Sequence, residues 1–285
     1  MTYYCFLNGK IIPANEAAVA ITDLGLLRGY GIFDYLRTYH GRPFRLQDYL
    51  DRLRSSASDM RLPVKYSDAQ ITAIVDELLQ KNEVTEDAAI RLLMTGGNSP
   101  DSMSIAEPNF AVIIEHLAPT PQEQYENGVK LLTYPFKRIF PLSKTTNYVA
   151  AIKMQPEVKA KKAFDLLYVL NDEVLELTRN NFFLVKGNAL ITAKEGVLEG
   201  VTRKVILELA EGHFKLDVRR VNAAELNTAD EAFLSGSAKK LIPVVQIDEK
   251  IYGSGKPGAT TRKLMQLFDE YVSVVSSQER VASNR

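Results

Sequence analysis

Ser143-Lys144-Thr145-Thr146-Asn147-Tyr148 lies just past the middle of a 285-residue chain, and Lys144 is the residue whose setting first suggests chemistry. The segment follows a strand-like run from Gly128 to Pro135 and the Phe140-Pro141 approach, and it opens a helical run through Ala151 and Met154. A lysine at such a junction can condense with an aldehyde. Its ordinary pKa is about 10.4, so a nucleophilic amine near neutral pH needs burial or a nearby positive charge. An isolated lysine is more often a solvated surface charge. The question is whether the chain also holds what an aldehyde cofactor would require.

A phosphorylated aldehyde needs a cup for its anion and a partner for its ring nitrogen. Glu199-Gly200-Val201-Thr202-Arg203 lies between a short strand and a helix. The open amides of a helix start attract anions, and Thr202 adds a hydroxyl, although such a turn can also be ordinary capping. Ser235-Gly236-Ser237-Ala238, after a strand ending at Leu234, is a second turn of small residues with amides and hydroxyls. Arg52, one residue before Leu53 on an apolar-striped helix, could turn inward as a planar phosphate donor or pair with Asp48 or Asp51. Glu176 stands near a strand end, before the turn Thr178-Arg179-Asn180-Asn181. A carboxylate beside a pyridine nitrogen keeps that ring protonated, and otherwise such a residue is a solvated turn glutamate.

Other chemistries find less support. His40, His116 and His213 are dispersed without ligand spacing, and the single Cys5 cannot build a zinc site or a disulfide framework, so no metal is expected. Neither a Gly-x-Ser-x-Gly elbow nor a P-loop occurs. Lys+Arg and Asp+Glu number 35 each, so no basic field calls for nucleic acid or an anionic membrane. Apolar content of 46% and the lack of a span-length apolar run or leader-like start suit a globular cytoplasmic protein.

The elements that must position these residues follow from periodicity. Tyr3–Leu7 reads as a strand entering the Asn8-Gly9 turn. Gly25–Tyr39 starts glycine-rich and becomes a strand with Phe33, Tyr35 and Arg37 on one face and Asp34, Leu36 and Thr38 on the other. Leu46–Leu62, stopped by Pro63, and Ser67–Lys81, capped by Ser67, read as amphipathic helices. Ala88–Thr95 and Asn109–Leu117 are strand-like around a polar loop from Gly96 to Pro108. Ala118-Pro119-Thr120-Pro121 is the best linker. The division expected is a small domain over 1–118, a linker over 119–127 and a larger domain over 128–285 that carries Lys144. Beyond the linker, strand-like segments are 164–171, 181–186, 189–193, 215–221, 231–234 and 241–248. Helical ones are 201–210, 223–227 and 259–275, and the polar tail from Ser276 is expected to fray.

In order and spacing, these motifs resemble the class IV (fold type IV) pyridoxal-phosphate aminotransferases, a family that includes branched-chain and D-amino-acid aminotransferases and aminodeoxychorismate lyase. The resemblance runs from Phe6-Leu7-Asn8-Gly9 to the helix after Gly258. It is carried by Leu50-Asp51-Arg52-Leu53 with Ser56-Ala57, Lys144 with Asn147, Glu176 with Asn181 and Phe183, Gly200-Val201-Thr202-Arg203, and Ser235-Gly236-Ser237-Ala238 with Pro243-Val244. It implies an α+β protein with a small α/β N-terminal domain and a larger barrel-like β domain with helices, working as a homodimer. The implied cofactor is pyridoxal 5'-phosphate, joined to Lys144, which also shuttles the proton. Glu176 would hold the ring nitrogen. Arg52, Val201, Thr202 and Ser237 would bind the phosphate, and Asn181 belongs with the cofactor-binding residues. The Ser237 and Ala238 amides would meet the substrate carboxylate, and Phe33, Tyr35 and Arg37 would line the substrate pocket. The implied reaction passes an amino group from an amino acid to a 2-keto acid, and the alternative is a lyase that releases pyruvate.

Departures from the family pattern bear on substrate. D-amino-acid aminotransferases carry an arginine after Ser-Pro, where this chain has Ser99-Pro100-Asp101, and an acidic residue there would repel a carboxylate. The branched-chain Phe-Glu-Gly-Ile-Arg stretch is Phe33-Asp34-Tyr35-Leu36-Arg37 here, so Tyr35 narrows or reorients the room for a branched side chain. Arg28 stands in place of the family's upstream tyrosine. Arg28 and Arg37 are therefore candidates for a second substrate carboxylate.

Overall fold

The computed structural model describes residues 3–282 and divides them into two compact units. The first comprises residues up to Ala118 together with Ser143–Asn147, and the second comprises Pro119–Leu142 and the chain from Tyr148 onward. Two expectations change. Residues 119–127 are not a free linker: Gln122–Asn127 form a helix of the second unit, whose Tyr125 hydroxyl donates to the Lys239 carbonyl at 3.0 Å. Lys144, expected in the larger domain, groups with the first unit, because its backbone bonds to a strand and a helix there.

The first unit contains, in order, β1 (Tyr4–Leu7), β2 (Lys10–Pro13), α1 (Leu24–Arg28), β3 (Gly31–Tyr39), β4 (Arg42–Pro43), α2 (Leu46–Asp59), α3 (Asp68–Lys81), β5 (Ala88–Thr95) and β6 (Asn109–His116). Its strands form an antiparallel sheet in the order β2-β1-β6-β5-β3-β4. Asn8 and Gly9 both take positive φ, which closes the two-residue turn and pairs Leu7 with Lys10. Alternation along β3 and β5 buries Ile32, Asp34, Leu36, Ile90 and Leu92 completely, while Phe33, Tyr35 and Arg91 are half-buried. Tyr49, Leu50, Leu53 and Ala57 give α2 its buried stripe. That helix ends before Pro63 because Arg61 turns left-handed (φ 51°) and the Leu62 N–H returns to the Ala57 carbonyl at 2.8 Å. At the start of α3 the Ser67 side chain and Gln70 form a full capping box.

The second unit contains α4 (Gln122–Asn127), β7 (Val129–Tyr134), α5 (Val149–Lys153), α6 (Gln155–Ala160), β8 (Asp165–Leu170), β9 (Glu173–Leu177), β10 (Asn181–Lys186), β11 (Ala189–Ala193), α7 (Val201–Ala210), β12 (Lys215–Arg219), β13 (Val221–Asn222), α8 (Glu225–Thr228), β14 (Glu231–Gly236), β15 (Lys240–Ile247), β16 (Lys250–Ile251) and α9 (Ala259–Ala282). The sheet runs β12-β11-β10-β14-β15-β7-β8-β9-β13, with β16 beside β15. In sequence β9 and β10 are joined by a three-residue turn, yet five steps of pairing separate them along the sheet. Only a rolled sheet can satisfy both, which gives the barrel-like form. Its apolar interior includes Leu131, Leu166, Phe182, Leu184, Leu234 and Ile242. Phe183 and Phe233 point to the opposite face and stack with centroids 4.7 Å apart, and α7 and α9 pack against this part of the sheet. Strands buried on both faces read as unbroken apolar runs, as Phe182–Val185 does.

The helix at the C-terminal end runs through Ala282, so Ser276–Ala282 continue a helix where fraying was expected. Its first turn is held by Glu231, whose carboxylate accepts from Thr260 N at 3.0 Å and from Thr261 N and Oγ1 at 2.8 and 2.7 Å. Glu231→Ala should destabilise the protein by about 1–2 kcal/mol, the cost of losing a helix cap. Thermal or urea unfolding reads this, and an unchanged midpoint would show that the carboxylate contributes nothing to α9.

Candidate active site

In the first unit, Lys144 is held as part of a short added strand. The N-terminal half of β3 has an open edge, and Ser143–Asn147 occupy it. Phe33 N donates to the Lys144 carbonyl and Thr146 N to the Gly31 carbonyl, both at 2.9 Å, and Ile32 bridges Thr145. On the other side, Lys144 N donates to the Ser56 hydroxyl of α2 at 3.1 Å, and the Ser143 hydroxyl binds Asp59 at the end of that helix. Both serines are buried, and Lys144 is only 9% exposed. The lysine Nζ lies 4.7 Å from the centroid of the Phe33 ring.

Phe33 and Tyr35 flank the same patch, and both rings face a guanidinium that sequence reading did not single out. Arg91 of β5 lies opposite Tyr35 in register and stacks on the two rings at 5.2 and 5.0 Å, while pairing with Glu115 of β6. The two expected cations are placed differently. Arg37 is buried, ion-paired with Asp87 and stacked 4.2 Å over Tyr39. Arg28 is exposed in the last turn of α1, and its Nη1 donates to the Leu27 carbonyl at 3.0 Å. Arg52 pairs with Asp34 on β3, through Nη2 to Oδ1 at 2.6 Å and Nε to Oδ2 at 3.0 Å. The loop from Gly96 to Pro108 uses Asp101 internally. Its carboxylate accepts from the Ser99 hydroxyl, Met103 N, and the amide and hydroxyl of Ser104. Those bonds, the Ser104 hydroxyl first, hold the Asp101 carboxyl well below the usual carboxylate range.

In the second unit, Glu176 of β9 is 5% exposed and met by donors. Arg138 reaches Oε1 with Nη2 at 2.7 Å and Nε at 2.8 Å, Leu198 N donates to Oε2 at 3.1 Å, and Asn181 Nδ2 lies 3.4 Å from Oε2. Asn181 also donates to the Leu198 carbonyl at 2.8 Å, so it braces Glu176 and the approach to α7. Sequence reading missed Arg138, which stands thirty-eight positions before its partner. Pairing of β10 with β14 sets Asn181 opposite Ser235. The two small-residue turns close onto this place: a Cβ on Gly200 would lie 2.0 Å from Asn181 Oδ1, and one on Gly236 would lie 2.3 Å from Asn180 Oδ1. Val201 and Thr202 are buried in the first turn of α7, whose Gly200 cap brings no side-chain bond to the helix amides. Ser237 and Ala238 lie half-buried in the β14–β15 turn, and the buried Ser235 hydroxyl has no hydrogen-bond partner among the described residues. A turn of uncapped amides, buried hydroxyls and a braced carboxylate fits the phosphate and ring nitrogen of the expected cofactor. Among the described residues, no group of three or more His, Cys, Asp or Glu is placed to hold a metal.

Under the 178–181 turn lies Asp165, 4% exposed, accepting from Thr178 Oγ1 at 2.7 Å and Leu166 N at 2.8 Å. Burial pushes its carboxyl up from the ordinary 3.8 despite these bonds. A raised folded-state pKa means that folding takes up a proton in the interval above 3.8. Stability therefore increases as pH falls through the folded value, and the gain is complete below the unfolded one. Asp165→Asn should flatten that part of the stability–pH curve when urea unfolding is compared from neutral pH down to about pH 4. An identical slope in both proteins would assign the effect elsewhere. Arg138→Met strands Glu176 as a buried charge and should cost about 3–5 kcal/mol. The same unfolding measurement reads it, and a loss under about 1 kcal/mol would show that the pair behaves as a solvated one.

Residues 31–247 match the family model for amino-transferase class IV. A putative branched-chain-amino-acid aminotransferase of Methanocaldococcus jannaschii is 30% identical over 93% of this chain and 95% of its own length. A D-alanine aminotransferase of Staphylococcus haemolyticus is 30% identical over 95% of this chain and 99% of its own. The fold matches the branched-chain aminotransferase of Thermoproteus uzoniensis solved with norvaline, with a TM-score of 0.87, 25% identity, and coverage of 95% of each chain. These relatives are named as aminotransferases, which favours transfer of the amino group over release of pyruvate. The chain belongs to the class IV aminotransferase family, and it is an enzyme that moves an amino group from an amino acid to a 2-keto acid.

Proposed function

We propose that this aminotransferase works with pyridoxal 5'-phosphate joined to Lys144. The observation that carries this is a lysine that is nearly buried and backbone-bonded on both sides, to β3 and to α2. The cofactor supplies an aldehyde for the amino group and a protonated ring that draws electrons from the substrate α-carbon. Glu176, anchored by Arg138 and Leu198 N, holds the proton on the ring nitrogen. The amides of Val201 and Thr202, the Thr202 hydroxyl, Ser237 and Arg52 hold the phosphate. Asn181 keeps Glu176 in place. Lys144 Nζ would take the α-proton from the substrate as general base and hand it back as general acid. The Ser237 and Ala238 amides orient the substrate carboxylate.

Phe33 and Tyr35 form the substrate wall, and Arg91, paired with Glu115, stacks on both from β5. The substrates are thus an amino acid of branched-chain or anionic type and a 2-keto acid. Ile139, Phe140, Leu142, Val149 and Ile152 are large apolar residues exposed on the second unit, and they support a homodimer. Cys5 is a buried free thiol, in keeping with a cytoplasmic enzyme.

Purified enzyme given an amino donor and no acceptor should convert its yellow aldehyde form to the amine form and stay there, whereas a lyase would regenerate the aldehyde. Running L- and D-donors in parallel identifies the hand accepted. Lys144→Ala should lose the absorbance band of the lysine-bound cofactor and at least about 1000-fold in turnover, about 4 kcal/mol of transition-state stabilisation. An intact band in that variant would point to another lysine.

A further inference from the structure

Asp34 and Arg52 form a deeply buried ion pair of the first unit, with side-chain exposures of 0% and 10%. Burying two charges is a poor way to hold β3 against α2, since apolar side chains of similar volume hold such a seam as well or better. An ion pair can do something an apolar pair cannot. Its two bonds, Nη2 to Oδ1 at 2.6 Å and Nε to Oδ2 at 3.0 Å, grip one edge of the guanidinium and so fix the plane of the whole group. The Tyr49 ring lies 5.2 Å from the same guanidinium carbon. Asp34 is itself fixed, because its Oδ1 also accepts from the Tyr35 amide at 2.8 Å. It projects from the face of β3 opposite to Phe33 and Tyr35, so it stands behind the substrate wall and not in it.

We propose that Asp34 is a positioning residue for the cofactor phosphate. By holding the Nε–Nη2 edge of Arg52, it sets the angle at which the rest of that guanidinium meets the phosphate. This rests on the assignment of Arg52 to the phosphate made above. It goes further in naming the group that fixes the arginine's orientation and in confining that group's effect to the phosphate end of the cofactor.

Pyridoxal, which has the ring and aldehyde but no phosphate, separates positioning from a general contribution to the fold. Apo-enzyme is titrated with pyridoxal 5'-phosphate and with pyridoxal by absorbance, for the wild type, Asp34→Asn, Arg52→Lys and the double variant. The affinity ratio of the phosphorylated over the plain aldehyde should fall at least tenfold in each single variant, while pyridoxal affinity changes less than twofold. In the double variant it should fall no further than in the weaker-binding single one, because both changes remove one interaction. Equal weakening of both ligands in Asp34→Asn, no change in either, or additive losses in the double variant would overturn the proposal. Should the asparagine variant not fold, Asp34→Ser is measured in its place, and failure of both to fold assigns the pair to folding and overturns the proposal as well. A wild type that takes up neither aldehyde would instead refute the cofactor assignment, a separate result.

Discussion

To serve as proposed, joining a cofactor and then moving a proton, Lys144 needs a backbone that does not shift while its side chain does. Here that backbone is fixed by main-chain bonding to the open half-edge of β3 and by two buried serines, Ser56 receiving the Lys144 amide and Ser143 reaching Asp59. Each bond is worth about 1 kcal/mol net. Together they specify position. Five residues flanked by chain of the second unit become part of the first, and the lysine acquires the Phe33 ring as neighbour.

Buried charge follows the same logic in both units. Asp34 with Arg52 and Glu176 with Arg138 are carboxylate–guanidinium pairs in which the acid is almost fully buried. Such pairs add little to stability against an apolar replacement, but they are unforgiving of a missing partner and so define orientation sharply. Arg37 with Asp87 has the same chemistry at the end of β3, where Asp87 also accepts from the His40 amide, so an arginine's residue type alone does not reveal its partner.

Burial and bonding also explain the acids that stay out of the proposed chemistry. Asp101 spends its acceptor capacity on its own loop and is thereby kept ionised, whereas Asp165, with fewer bonds and almost no solvent, is pushed the other way. Both are aspartates near turns, and nothing in their local sequence separates them.

Local chemistry was legible from the chain alone. The Asn8-Gly9 turn, the Ser67 capping box, the stripe of α2 and the strands at 88–95 and 181–186 each depend on residues within a few positions of one another. The cofactor-type motifs were legible through their order, since Lys144, Glu176, Gly200 and Ser237 are informative as a set though weak singly. Tertiary structure decided the partners: Asp34 for Arg52, Arg138 for Glu176, Arg91 against Phe33 and Tyr35, and β3 for the lysine segment. These pairings join residues 18 to more than 100 positions apart, and they depend on strand register and on the roll of a sheet. Periodicity along one segment says which face a side chain occupies. It carries no information about what the folded chain brings to that face.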